Sequence, residues 1–114
     1  MELTSKAKKL FEAWYLKIPN AMGLNYGTLE LTMNRFYCLP LSMQWGIYQD
    51  FADSLGFDVC AFQDVTYDDN DNEVFKLFWS VSKLPKIEHN GYCNTRMQAR
   101  KAAIKKLNEI INNS

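Results

Sequence analysis

Between residues 36 and 75 the chain has no lysine and no arginine, yet eight acidic side chains fall there: Asp50, Asp53, Asp58, Asp64, Asp68, Asp69, Asp71 and Glu73. Such a segment repels phosphate and suits a basic surface instead. Histidine is nearly missing as well. His89 is the only one, and no nucleophile elbow, P-loop or dinucleotide fingerprint accompanies it. The three cysteines, Cys38, Cys60 and Cys93, are odd in number and form no C-x-x-C pair. They read as free thiols in a reducing compartment. A zinc site needs His89 and all three of them, and their spacing fits no zinc motif. No apolar run approaches the ~20 residues that cross a bilayer. Lys8, Lys9 and Glu12 interrupt the stretch a signal peptide needs. Together these absences point away from an enzyme, a cofactor or metal protein, and a membrane or secreted chain. They favour a non-enzymatic cytoplasmic protein.

The remaining charge is sorted along the chain. Residues 1–35 hold five basic groups and three acidic ones, and residues 76–114 hold eight basic groups against Glu88 and Glu109. Two faces with different partners would produce this pattern, and so would two halves that attract each other. The length of 114 residues fits one domain with one core.

Hydrophobic spacing sets the expected elements. Leu3, Ala7, Leu10, Phe11, Trp14 and Ile18 recur at helical steps, capped by Thr4 or Ser5 and ended by Pro19. In Thr28 to Met33, Leu29, Leu31 and Met33 alternate with polar residues, which predicts a short strand. "PLSMQWGIYQDFADSLG" predicts a second helix with Ser42 as N-cap and Gly56 as stop. Trp45, Tyr48, Phe51, Ala52 and Leu55 line its apolar face, leaving Gln49, Asp50 and Asp53 exposed. "FDVCAFQDVTY" and "EVFKLFWSVSK", joined by the polar "DDNDN", predict a hairpin. That loop is acidic without being a calcium loop. Counted from Asp69, the required glycine position is Val74 and the closing glutamate position is Ser80. A third strand around Ile87 to Cys93 leads into a last helix over 94–113.

In that helix Ala99, Ala103, Leu107 and Ile110 share one sector, extended by Ile111, Ile104 and Met97. Arg96 and Arg100 fall in the same sector at its start, while Lys101 and Lys105 point away. With Asn94 or Thr95 as cap, the helix start suits a phosphate. "VFKLFWSV" is apolar on both faces: one is expected under the last helix, the other under Trp14 and Leu10. An uncovered face there would mark a protein interface or a homodimer.

The expected fold is α+β, one domain over 1–114. An N-terminal helix and connecting segment (1–40) precede an α-β-β-β-α core (41–114) with an antiparallel three-stranded sheet. This order resembles the double-stranded RNA-binding domain, and so do two motifs. "QDFADSLG" is similar to the family's N/Q-E-Y-A-x-x-x-G at Gln49, Asp50, Phe51, Ala52 and Gly56. "GYCNTRMQARKAA" is similar to G-x-G-x-S-K-K-x-A-K-x-x-A-A at Gly91, Thr95, Arg96, Ala99, Arg100 and Ala103. The resemblance implies that Arg96 and Arg100 hold phosphates across a major groove, and that Gln49 and Asp50 sit on the helix facing the minor groove. The chain departs from the pattern at Cys93 and Met97, and its first hairpin loop carries three carboxylates where the family has a G-P-x-H-type motif. "LPLSMQWGIYQDFADSLG" and "TRMQARKAAIKKLNEI" also look like stretches of small phage and prophage proteins, implying an anti-CRISPR-like inhibitor in a bacterial host.

The leading expectation is therefore binding to RNA or a ribonucleoprotein complex through Thr95, Arg96, Arg100, Lys101, Lys105, Lys106 and Gln49. The alternatives are a protein module docking a basic surface through Asp50, Asp53, Asp68, Asp69 and Asp71, and a homodimer without nucleic acid.

Overall fold

A computed structural model of the chain describes residues 1–21 and 28–114, without the side chains of 18–21. The order is α1 (Ser5–Ala21), α2 (Leu29–Tyr37), α3 (Leu41–Ser54), β1 (Asp58–Tyr67), β2 (Glu73–Lys83), β3 (Ile87–Cys93) and α4 (Arg96–Asn112). The three strands form one antiparallel sheet in sequence order. This is an α+β fold with α-β-β-β-α order over its last five elements.

The expected strand at 28–33 is a helix instead. Thr28 caps it, its side chain accepting from the Leu31 N–H at 3.2 Å. The buried residues are Thr32, Met33 and Phe36, at helical spacing, whereas Leu29 and Leu31 are exposed. Leu29 and Leu31 alternated with polar residues without facing any core. At α3 the N-cap is Pro40 and not Ser42. Its carbonyl accepts from the N–H groups of Met43 and Gln44, at 2.9 and 3.1 Å. Buried Gln44 ties the α2–α3 connection by donating to the carbonyls of Leu39 and Tyr37. Gly56 ends the segment at a φ of 84°, a conformation that costs other residues roughly 1–2 kcal/mol.

Pro19 does not end α1, which runs to Ala21. The expected stripe residue Ile18 lies outside the described side chains. The start of α1 is held by α4. Asn112 Oδ1 accepts from the Ala7 N–H at 2.9 Å, and Asn108 Oδ1 accepts from the Thr4 N–H at 2.8 Å. Leu3, Ala7 and Phe11 are thereby fixed in the core beside Phe36, Tyr48, Phe51, Ile104 and Leu107. Burial is the main reason the Tyr48 phenol sits well above its ordinary pKa, with Tyr37 and Glu2 adding to it.

All helices that touch the sheet lie on one face. Val59 and Val81 pair across the strands and are buried, and next to them Ala61 and Trp79 pack on the core. The Trp79 indole crosses Gly91, its partner on β3: a Cβ there would meet Nε1 at 2.8 Å. Gly91→Val is therefore expected to displace the indole and destabilise the fold by about 1–3 kcal/mol. Denaturant unfolding checks the loss and the Trp79 indole NMR signal checks the displacement. An unmoved signal at wild-type stability would contradict this packing.

Candidate binding surfaces

At the start of α4, Thr95 forms a capping box. Its hydroxyl accepts from the Gln98 N–H at 3.1 Å, and Gln98 Oε1 accepts from the Thr95 N–H at 3.2 Å. The Thr95 hydroxyl thus serves the helix. Arg96 is exposed, and Arg100 is half-buried with its guanidinium carbon 5.8 Å from the centre of the Trp45 ring. Its Nε is buried without a hydrogen-bond partner. Lys101 and Lys105 are exposed on the outward side, while Lys106 is half-buried and paired with Glu109 at 3.1 Å. The five cations do not form one patch. Arg96/Arg100 and Lys101/Lys105 are two pairs, each one turn apart, facing roughly 140° from one another. They flank the helix on two sides. Arg96, Lys101 and Lys105 have no carboxylate within ion-pair distance among the described residues.

Gln49 does not join them. Its amide donates to the Val59 carbonyl at 2.9 Å, tying α3 to β1. Asp50 and Asp53 are exposed on α3. Nothing in the sequence motif distinguishes a surface glutamine from one spent on a neighbouring strand.

Asp68, Asp69 and Asp71 cap a projecting arm. The last β2–β3 pair is Leu77 with Cys93, so Glu73 to Lys76 pair only with Asp64 to Tyr67. On the side of this arm that continues the helix-covered face, Val65, Tyr67 and Phe75 are exposed. Asp68 is spent on the turn, accepting from the Asn70 and Asn72 N–H groups, each at 2.9 Å. The Asn72 N–H first, and the Asn70 N–H next, hold its carboxyl below the ordinary aspartate range. A depressed folded value means that this contribution is complete above the unfolded aspartate pKa and is lost as pH falls through the folded one. A carboxyl ¹³C titration is expected to place the Asp68 midpoint below the usual range; one at or above that range would contradict the turn geometry.

Among the described residues, the second sheet face carries no helix. Trp14 packs on Phe11 and Phe51 in the core, and Leu10 remains partly exposed, so neither covers it. Across this face Phe62, Phe78 and Tyr92 form one row over three strands, with centroids 4.9 and 5.3 Å apart. The composition showed surplus aromatics, but only the placement of α1 decides that these three stay uncovered.

No group of three or more His, Cys, Asp and Glu side chains placed to hold a metal ion occurs among the described residues, and the three cysteines are free thiols. No described helix is long and apolar enough to cross a membrane. The chain matches no family model, no curated protein and no solved structure.

Proposed function

We propose that the protein is a non-enzymatic binding protein that engages RNA within a ribonucleoprotein complex through the start of α4. The observation that carries this reading is the separation of its charges. The carboxylates of 36–75 form no ion pair with the cations of α4, and Arg96, Lys101 and Lys105 have no ion partner among the described residues. A helix about 10–12 Å across, with cations on two flanks, suits phosphate rows on either side of a groove. The similarity of "TRMQARKAA" to the duplex-RNA motif supports the same end of the molecule. The acidic arm and the engaged Gln49 argue against contact along a whole duplex, and favour a short RNA element presented by a protein complex. Its biological effect, in this reading, is inhibition of a bacterial defence complex of CRISPR type. Binding of a structured RNA by the wild type and by an Arg96→Ala, Lys101→Ala, Lys105→Ala variant tests it. Equal affinity for both, or none for either, would overturn it.

A further inference from the structure

The uncovered sheet face has a composition that selects its partner. Residues alternate between faces along a strand, so the registers define its rows. Asp58, Ser82 and Glu88 form one row, then Cys60, Ser80 and Asn90, then Phe62, Phe78 and Tyr92, then Asp64 and Lys76. Phe62 and Tyr92 are 44% and 50% exposed, so about half of each side chain is open to a partner. The adjoining row holds Asp64 and Lys76, and two rows off on the other side stand Asp58 and Glu88, so the face carries three carboxylates against one ammonium. Asp64 already touches the row, its Oδ2 accepting from the Tyr92 hydroxyl at 3.2 Å.

We propose that this face docks an arginine-rich segment of a partner protein. The inference does not rest on RNA binding by α4, because the two surfaces lie on opposite sides of the sheet. Aromatic rings alone would serve nucleic-acid bases or a second copy of the chain equally well. The carboxylates decide. Asp64 beside the rings, with Asp58 and Glu88 two rows along the same face, opposes a phosphate backbone, and an isologous dimer would double that charge. Both features favour a cation that is also planar. A guanidinium stacks on an aromatic face and pairs with a carboxylate through two parallel N–H donors, whereas an ammonium does neither as well. The face already holds a cation in this manner: Lys76 Nζ lies 5.8 Å from the Tyr92 ring centre. Lys76 is thus an internal occupant that an arginine segment displaces.

The test measures fluorescence anisotropy of labelled nine-residue oligo-arginine and oligo-lysine peptides with the intact chain, alongside a single-stranded RNA oligonucleotide and light scattering. Oligo-arginine is expected to bind more tightly than oligo-lysine. A Phe62→Ala, Tyr92→Ala variant is expected to weaken it by about tenfold or more. Neutralising the arm tip with Asp69→Asn and Asp71→Asn should change it by no more than about twofold. Lys76→Met is the sharpest arm: it should tighten the peptide severalfold, whereas a face made for an anion would weaken. Both aromatic sites are exposed, and circular dichroism confirms that the variants are folded. Equal binding of the two peptides, loss that follows only the arm-tip charges, RNA binding abolished by the aromatic variant, or a dimer dissolved by it would each overturn the proposal. RNA binding through α4 fails or survives separately, since it reads out on Arg96, Lys101 and Lys105.

Discussion

Phe11→Ala is expected to destabilise the protein by about 3–5 kcal/mol, the cost of emptying a fully enclosed aromatic site. Its ring is completely buried and touches Trp14, Tyr15, Phe36, Tyr48 and Phe51 at centroid distances of 4.9 to 6.0 Å. For a domain of this length that corresponds to a fall in Tm of roughly 12–20 °C. Leu10→Ala, one residue earlier and 39% exposed, should cost less than about 1 kcal/mol. The contrast matters because residues 1–40 lie outside the α-β-β-β-α core, yet supply Leu3, Ala7, Phe11, Met33 and Phe36 to the buried cluster. A fragment of residues 41–114 is accordingly expected to show no cooperative unfolding. A sharp thermal transition in that fragment, or a Phe11→Ala variant that melts with the wild type, would contradict the shared core.

The second large effect concerns α4. An Arg96→Glu, Lys101→Glu, Lys105→Glu variant is expected to lower affinity for structured RNA by about a hundredfold or more at moderate salt, since three attractions become three repulsions. These residues are exposed and have no ion partner among the described residues, so thermal stability should stay within about 0.5 kcal/mol of the wild type. Arg100 is a poorer target. Its guanidinium lies over Trp45 and its Nε is buried, so Arg100→Ala would combine lost packing with lost charge. A mobility-shift titration with a circular dichroism control separates the two effects. Undiminished binding by the folded variant would remove α4 as the contact.

The elements that were legible in the sequence are those whose pattern and punctuation agree. Apolar, strand-forming runs in "FDVCAFQDVTY" and "EVFKLFWSVSK" around a polar turn define a hairpin, and the structure has it at Asp58–Tyr67 and Glu73–Lys83. The last helix reads correctly because Ala99, Ala103 and Leu107 of the expected sector are buried, with Ile104 and Ile111 beside them, while Ile110 is half-buried. The segment at 28–33 misleads because five residues satisfy a period of two while Phe36, three residues on, reveals the helix. Long-range contacts are hidden for a different reason. Asn108 and Asn112 look like helix-end polarity, but they hold the start of α1 about a hundred positions away. The candidate surfaces are half-legible in the same sense. Charge sorting shows in the sequence, whereas the engagement of Gln49, the packing of Arg100 on Trp45 and the bare aromatic row depend on which face each helix covers.

The central claim, that free cations of α4 hold RNA phosphates, is tested most directly by the salt dependence of RNA affinity. About three phosphate contacts predict a slope of roughly −2 to −3 in log K against log salt, so raising salt fourfold from 50 to 200 mM should weaken wild-type binding by roughly 20- to 60-fold. In the Arg96→Ala, Lys101→Ala, Lys105→Ala variant the slope should fall close to zero. Wild type and variant with the same slope, or a wild type indifferent to salt, would contradict it.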